Sequence, residues 1–232
     1  LVLAYTYGGD VRRAAPLARR TYEVAQRSGE GLAIATALNG LVVLYFAWGR
    51  YADAVEVGRD LERAWRPGFH DGIAYCKNLV GMAHYLLGDY AAAVNGLTDA
   101  RTTADEWDAP RPEALTLWNL SLVHVLHGVY DKALACGRDA ELLMTRLGLD
   151  RSANVPLIAA EAASVNDHAR LVRALLQAAQ EWTMCGDLFP GTVLAERAGQ
   201  IARRHNLLDL EAEADALSHK LIARLRLPDP GE

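Results

Sequence analysis

The sequence predicts an all-α solenoid built from about six tandem antiparallel helix pairs, with a period of about 40 residues per pair. Three observations lead to this fold class. Residues that tolerate a left-handed backbone recur at a nearly constant interval, the Ala- and Leu-rich chain has 51% apolar and 23% charged residues, and only 8 prolines interrupt it. Because such an array grows by adding units, its length does not give the number of domains.

Two interleaved series of turn residues set the helix boundaries. Many helices end at a left-handed residue, usually Gly and sometimes Asn, because a β-carbon penalises most other residues there. The first series comprises Gly9, Gly49, Gly88, Gly128, Asn166 and Asn206, whose sequence positions differ in turn by 40, 39, 40, 38 and 40. The second lies about halfway between them and comprises Gly29, Gly68, Asp108, Gly148 and Gly186. Each period therefore contains two turns and two helices.

Each pair consists of a helix A before a first-series turn and a helix B after it. A partial pair, Leu1–Tyr7 with Val11–Arg27, comes first. The predicted full pairs are Ala33–Trp48 with Tyr51–Trp65, Gly72–Leu87 with Tyr90–Glu106, Pro112–His127 with Tyr130–Leu147, Asn154–Ser164 with His168–Met184, and Thr192–His205 with Leu208–Arg226. Helix B has candidate caps at Asp10, Asp89 and Asp167, and Pro112 falls in a first turn, where proline is tolerated. Turns this short require neighbouring helices to run antiparallel.

Three first-series turns carry the same local motif, which is Gly, any residue, Tyr, any two residues and Ala. They are Gly49-Arg50-Tyr51 with Ala54, Gly88-Asp89-Tyr90 with Ala93, and Gly128-Val129-Tyr130 with Ala133. The motif resembles that of the tetratricopeptide repeat, in which Ala allows a close helix approach and the aromatic ring fills the wedge between A and B. The resemblance implies a right-handed superhelix with the A helices on its concave face. The period here is longer than that of the basic repeat, and the last two pairs lack the motif.

Ala-rich pairs with this period resemble the helical arrays of large bacterial LuxR-type and other signalling ATPases, and those of peptide-pheromone receptors. The resemblance implies a non-catalytic, cytoplasmic sensing or autoinhibitory module that binds a peptide, a small inducer or its own upstream ATPase domain. The chain has no P-loop motif, and it opens without Met on what reads as the latter part of a helix. We therefore expect a piece of a larger protein. A passive assembly scaffold is the alternative.

The predicted domain organisation is a single solenoid over residues 1–232. Residues 1–29 form a partial first repeat, and residues 30–148 form well-formed repeats. Residues 149–227 form degenerate repeats that act as a cap, and residues 228–232 are a tail. We expect the well-formed repeats to carry the binding surface, because they keep the complete turn motif.

Candidate ligand contacts lie on the A helices at fixed distances before each turn. By resemblance to peptide-binding repeats, Asn can hold a ligand backbone through one donor and one acceptor, while aromatic and Met side chains form pockets. The candidates are Asn39, Val43, Phe46, Tyr75, Asn78, Met82, Tyr85, Trp118, Asn119 and Leu122. Lys77 and Arg111 could add contacts to an anionic group. The alternative is that these side chains form the core between repeats, and a structure burying Asn39, Asn78 and Trp118 together would exclude the groove.

Charge and cysteine content exclude several other classes of function. A net charge of −5, spread along the chain without a dense basic stripe, argues against direct nucleic-acid binding. Cys76, Cys136 and Cys185 are too far apart for a zinc site or a disulfide framework, which fits a reducing compartment. No apolar stretch approaches the roughly 20 residues of a membrane-spanning helix. We expect neither a membrane partner nor a cofactor.

Catalytic and metal-binding arrangements are not indicated by the sequence. His84 and His124 occupy the same place in successive repeats, and His127 follows three positions later, but this repeat position normally holds a packed aromatic ring. Ser121 near His124, and Cys76 alone, lack an orienting carboxylate and oxyanion donors in the pattern. We therefore predict no catalytic residue and no metal site.

Overall fold

The computed structural model of the chain describes residues 2–7, 11–64, 70–149, 154–184 and 188–225. Those residues form twelve helices and no strands. The helices are α1 (Val2–Tyr7), α2 (Val11–Ser28), α3 (Gly31–Ala47), α4 (Tyr51–Ala64), α5 (His70–Leu86), α6 (Tyr90–Glu106), α7 (Pro110–Leu126), α8 (Tyr130–Arg146), α9 (Val155–Ser164), α10 (His168–Met184), α11 (Leu188–Arg204) and α12 (Leu208–Leu225). Odd-numbered helices are A helices and even-numbered ones are B helices. None of the described helices combines the length and apolar character needed to cross a bilayer.

The all-α repeat predicted from the turns is confirmed, and most helix boundaries fall within two residues of those predicted. Helices α6 and α10 have the predicted bounds. The largest difference is at α11, which begins at Leu188 instead of Thr192. Pro190 then falls in its first turn, where the missing amide hydrogen has no intrahelical partner to lose. Helix α7 likewise begins two residues early, at Pro110.

The turn residues adopt the left-handed conformation on which the prediction depended. Every described residue of the two series has a positive φ: Gly29, Gly49, Gly88, Asp108, Gly128, Gly148, Asn166 and Asn206. Gly9, Gly68 and Gly186 lie outside the described residues. Asp108, at φ 49°, shows that an aspartate can take the place of glycine in the series.

Two of the three predicted N-caps are present. The Asp89 carboxylate accepts a hydrogen bond from the Ala92 amide at 2.9 Å, and the Asp167 carboxylate accepts one from the Arg170 amide at 3.0 Å. Each bond satisfies one of the amides that the first turn of a helix leaves without a partner. Asp10, the third predicted cap, lies outside the described residues.

The chain divides into two compact units, Leu1–Thr116 and Leu117–Leu227, with the boundary inside α7. In the first unit consecutive helices pack together, and two A helices also contact the next A helix: α1 packs on α2 and α3, and α3 on α4 and α5. In the second unit α8 packs on α9, α9 on α10, α10 on α11, and α11 on α12. The domain limits given by the repeat motifs stay a prediction.

Small residues set the close approach between A and B helices in both units. In the first unit, a β-carbon added at Gly81 of α5 would lie 2.8 Å from Leu97 Cγ of α6. In the second unit, one added at Gly137 of α8 would lie 3.0 Å from Leu157 Cα of α9. The motif tyrosine fills the expected wedge at Tyr51, whose buried ring lies 5.6 Å from that of Phe46.

Candidate functional site

The ten residues predicted to line a groove lie on α3, α5 and α7. Those of α3 and α5 belong to the first unit, and the three of α7 belong to the second. Asn39, Tyr75 and Tyr85 are half-buried. The rest are buried: Val43, Phe46, Asn78, Met82, Trp118, Asn119 and Leu122. The structure thus places most of the predicted contacts inside the helix packing, and their role toward a ligand stays a prediction.

Asn39 joins two neighbouring A helices. The Cys76 thiol of α5 donates a hydrogen bond to Asn39 Oδ1 of α3 at 2.7 Å. Asn78, on the next turn of α5, is fully buried. In the first unit the two predicted asparagines are therefore half-buried and buried. This agrees with the alternative that these side chains form the core between repeats.

Trp118 packs within the second unit. Its ring meets that of Trp182 of α10 edge-on, with centroids 6.3 Å apart. It belongs to a run of residues, 116–125, in which every side chain of α7 is buried. Of the three residues named to test the groove, Asn78 and Trp118 are thus buried and Asn39 is half-buried, so the condition for excluding the groove is not fully met.

Lys77 is engaged by the neighbouring B helix. Its ammonium group donates to the Asp99 carboxylate at 2.7 Å and to the Thr103 hydroxyl at 3.1 Å, both on α6. The lysine side chain is mostly buried. A ligand anion would have to compete with Asp99 for this charge, which makes Lys77 a poor anchor for one.

The side chains considered for catalysis have structural partners. The Ser121 hydroxyl is buried and donates to the Ala133 carbonyl oxygen at 2.8 Å, which joins α7 to α8. Burial raises the pKa of the Cys76 thiol far above its ordinary value, so this side chain stays a neutral thiol. Desolvation, together with the positive charges of Lys132 and His127, lowers the pKa of the buried His124 imidazole. The described residues contain no group of three or more His, Cys, Asp or Glu side chains that could hold a metal ion.

An apolar groove lies open between α2 and α3 in the first unit. Its volume is about 490 Å³, and Glu30 is the one charged residue among its described lining residues. Val24 of α2 and Leu32 of α3 each expose 52% of their surface. The lining residues are Thr21, Val24, Ala25, Ser28, Glu30, Leu32, Ala33, Thr36 and Ala37. Two large apolar side chains at this exposure on facing helices form a surface on which another apolar group can pack.

This groove continues the line along which α1 packs. A β-carbon added at Gly40 of α3 would lie 3.5 Å from Val2 Cγ1 of α1. Ala37 and Ala33 lie one and two turns before Gly40 on the same face of α3, and both line the groove. The groove therefore lies on the same face of α3 that packs against α1, one to two turns before Gly40.

The sequence analysis did not identify the groove, although a signal for it was present. Val24 and Leu32 stand five positions before and three positions after the turn at Gly29, with Ala25 and Ala33 beside them. Large apolar residues flanking a turn, next to alanines on both helices, can indicate an open helix-packing surface. The candidate contacts lie on A helices before first-series turns, whereas the groove lies at a second-series turn, where the B helix α2 leads into the A helix α3.

The fold is similar to two solved structures. One is a Rap protein complexed with Competence and Sporulation Factor, at a TM-score of 0.77 and 13% identity, covering 97% of this chain and 62% of that one. The other is BtubC (BKLC) from P. vanneervenii, at a TM-score of 0.54 and 22% identity, covering 87% of this chain and 77% of that one. No protein-family model matches the sequence, and no curated protein matches it.

Identities this low show the fold alone. This chain spans less than two thirds of the length of the Rap protein chain. The finer resemblance to arrays of LuxR-type ATPases stays a prediction. Together, the twelve described helices, their left-handed turns and the likeness to the Rap protein show an all-α helical repeat of the tetratricopeptide-like type.

Proposed function

We propose that this chain is a non-catalytic protein-interaction module of a larger bacterial regulatory protein, and that it binds an amphipathic helical segment of a partner protein between α2 and α3. The observation that carries the proposal is the apolar groove in line with α1. The ligand-sensing role, the bacterial regulator and the cytoplasmic setting rest on the resemblance of the repeat pattern. The Rap protein, which shares this fold, is complexed with a factor, and this supports a binding role.

The repeat itself indicates what kind of occupant fits. Helix α3 packs against its own B helix, α4, and against the next A helix, α5. Helix α1 packs in the equivalent way on α2 and α3. Because the groove lies on the face of α3 that packs against α1, a helical segment of a partner protein is the kind of occupant that fits it.

The chemistry of the groove defines the face of that helix. The alanines at 25, 33 and 37 allow close approach, while Val24 and Leu32 offer apolar contacts on either side. Full burial of a Val or Leu side chain contributes about 1.5–3 kcal/mol, so covering the exposed half of these two contributes roughly 2–3 kcal/mol together. A partner helix is expected to present large apolar residues at i, i+3 or i+4, and i+7.

A peptide display selection tests the proposal. Peptides are selected on the wild-type chain and then measured against Val24→Asp/Leu32→Asp. Two buried carboxylates would oppose an apolar helix, so binding should weaken at least tenfold. Leu87→Asp/Leu142→Asp is the matched control, because these leucines are 52% and 55% exposed and lie outside the groove. Failure to enrich helical apolar patterns, or equal binding to both variants, would refute the groove as a docking site.

An assembly scaffold remains the second candidate, favoured by one feature of the second unit. Val165, in the turn that follows α9, and Leu208, the first residue of α12, expose 70% and 73% of their surface. Exposed apolar side chains of this kind can join copies of a repeat protein. Light scattering that finds a stable oligomer, lost in Val165→Asp/Leu208→Asp, would favour the scaffold. A monomer would exclude self-assembly through these residues.

A further inference from the structure

Two histidines of the degenerate repeats stack against each other in the second unit. His168 opens α10 and His205 directly follows α11, and their rings lie 3.5 Å apart between centroids at an interplanar angle of 19°. His168 stands where the repeat motif has tyrosine, and His205 directly precedes the turn residue Asn206. In space they form one wall of a cavity.

The cavity has an apolar floor and a basic rim. Its volume is about 320 Å³, which suits a small ligand. Val125, Leu171 and Leu175 are buried beneath it. The basic groups that line it are His127, His168, Arg197, Arg204 and His205. No carboxylate is among its described lining residues. The lining side chains therefore favour an anionic ligand.

Helix dipoles do not account for the positive electrostatic potential of the cavity. Helices α8 and α10 begin at the cavity, at Tyr130 and His168, whereas α7 and α11 end there, at Leu126 and Arg204. Two positive and two negative helix ends largely offset each other. The sign of the field is therefore set by the arginine and histidine side chains.

Stabilisation of helix C-termini explains only part of the basic rim. Arg204 and His205 lie at the end of α11, where a cation interacts favourably with the dipole. Arg197 lies two turns earlier on that helix, and His168 is the first residue of α10, where a positive charge is disfavoured. Placing both at the rim of one cavity is better explained by a ligand that carries the opposite charge.

The electrostatics of His205 make the site responsive to such a ligand. Desolvation and the positive charges of His168 and Arg204 lower the pKa of the His205 imidazole. The facing titratable or charged groups at the ends of α7, α8, α10 and α11 are His127, Tyr130, His168, Arg197 and Arg204. On α12, Glu211 and Asp215 are already paired with Arg203. An anion entering the cavity would stabilise the imidazolium and raise that pKa.

We propose that this cavity binds a small organic anion, with its carboxylate or phosphate group at the arginines and the stacked histidines and its apolar body on Leu171 and Leu175. The site is independent of the α2–α3 groove, because all of its residues lie in the second unit. Charge-assisted hydrogen bonds to Arg197 and Arg204 supply the affinity. The imidazole pair couples binding to proton uptake.

Calorimetric titration of the full chain with benzoate, phenyl phosphate and benzyl alcohol tests the proposal. The three probes share an aromatic ring and differ in the group attached to it. They distinguish binding of a carboxylate from binding of a phosphate, and binding of either anion from binding of an uncharged aromatic ring. At least one anion should bind about tenfold or more tightly than benzyl alcohol. Equal binding of all three would show an apolar cavity only, and no binding of either anion would overturn the proposal.

Two further measurements locate the site. Arg197→Gln/Arg204→Gln should weaken anion binding by about tenfold to a hundredfold, as expected for lost charge-assisted bonds. Arg138→Gln/Arg173→Gln removes the same charge from exposed positions of the second unit outside the cavity, and it should leave affinity unchanged. In the unmodified chain, the imidazole NMR signals of His168 and His205 should shift during the titration. Unshifted histidine signals, or equal loss in both double variants, would contradict the assignment.

The pH dependence provides an independent readout. Because the anion raises the pKa of His205, benzoate affinity should increase as pH falls from about 8 to about 6, and level off below the pKa of the empty site. Phenyl phosphate itself titrates near pH 6, so benzoate is the probe for this arm. His168→Gln/His205→Gln should markedly reduce the dependence, leaving His127 as the remaining lining histidine. A pH-independent affinity in the unmodified chain would rule out coupling to the histidine pair.

Discussion

The Cys76 thiol of α5 donates a hydrogen bond to Asn39 Oδ1 of α3 at 2.7 Å, and this bond joins two successive A helices. Cys76 is buried, while Cys136 is only half-buried, and Cys185 lies outside the described residues. The bond places Asn39, the most accessible of the predicted groove asparagines, in a structural role as well.

Cys76 is expected to be unreactive in the folded chain. Burial raises the pKa of its thiol, and the thiolate is the reactive form, so a disulfide reagent should not modify it until the protein unfolds. Titration with Ellman's reagent checks this against Cys76→Ser. The substitution should leave the native thiol count unchanged and reduce the denatured count by one. A lower native count in the variant would show that Cys76 is accessible.

Gly81 is expected to be intolerant of any side chain. A β-carbon there would meet Leu97 Cγ at 2.8 Å and the Leu97 amide nitrogen at 3.0 Å, and a backbone atom cannot give way as a flexible side chain can. Gly81→Ala should therefore lower the free energy of unfolding by about 1–3 kcal/mol, measured by urea denaturation.

Gly40→Ala is the control for this substitution in the same unit. A β-carbon at Gly40 would lie at ordinary contact distance, 3.5 Å, from Val2 Cγ1. Alanine is the better helix former, so this change should be neutral or stabilise the chain by up to about 1 kcal/mol. Equal stability of the two variants would show that α5 and α6 are not held together by close approach at Gly81.

His124 is expected to make the folded chain less stable in acid. Its pKa is lowered in the folded state by desolvation and by the charges of Lys132 and His127, so the unfolded chain takes up the proton first as pH falls. Stability should therefore be complete above the ordinary histidine pKa and decline as pH drops through it toward the lowered value. Thermal unfolding of the wild type and of His124→Gln between about pH 7.5 and about pH 5 measures this.

The difference between the wild type and His124→Gln gives the contribution of His124 to the pH dependence of stability. His124→Gln does not titrate, so its melting temperature should fall less across the same interval. Parallel curves for the two chains would show that the pKa of His124 does not differ between the folded and unfolded states.

The helix boundaries could be predicted from sequence because they depend on local backbone chemistry. Asn166 and Asn206 are assigned to the turn series by residue type and spacing, without the rest of the motif, and both adopt a positive φ. A left-handed residue is recognisable by its type, whatever its neighbours in space. The same local logic located the caps at Asp89 and Asp167.

The depth of a side chain could not be predicted in this way. Spacing assigned Trp118 and Asn78 to one face of their helices, but an A helix is flanked by a B helix and other A helices, which bury most of its surface. Trp118 of α7 meets Trp182 of α10, three helices further along the chain, and no local pattern links the two. The stacking of His168 on His205 depends in the same way on packing between pairs.

The central claim, that the groove between α2 and α3 seats a partner helix, is tested most directly by filling the groove without changing its charge. Ala33→Trp would place an indole where the helix is expected to lie, whereas Ala52→Trp adds the same ring to an exposed position of α4 in the same unit. The dissociation constant of the best selected peptide is measured for both by calorimetry, with folding monitored by circular dichroism. The account predicts at least a tenfold loss of affinity for Ala33→Trp and none for Ala52→Trp. Full affinity in a folded Ala33→Trp variant would contradict it.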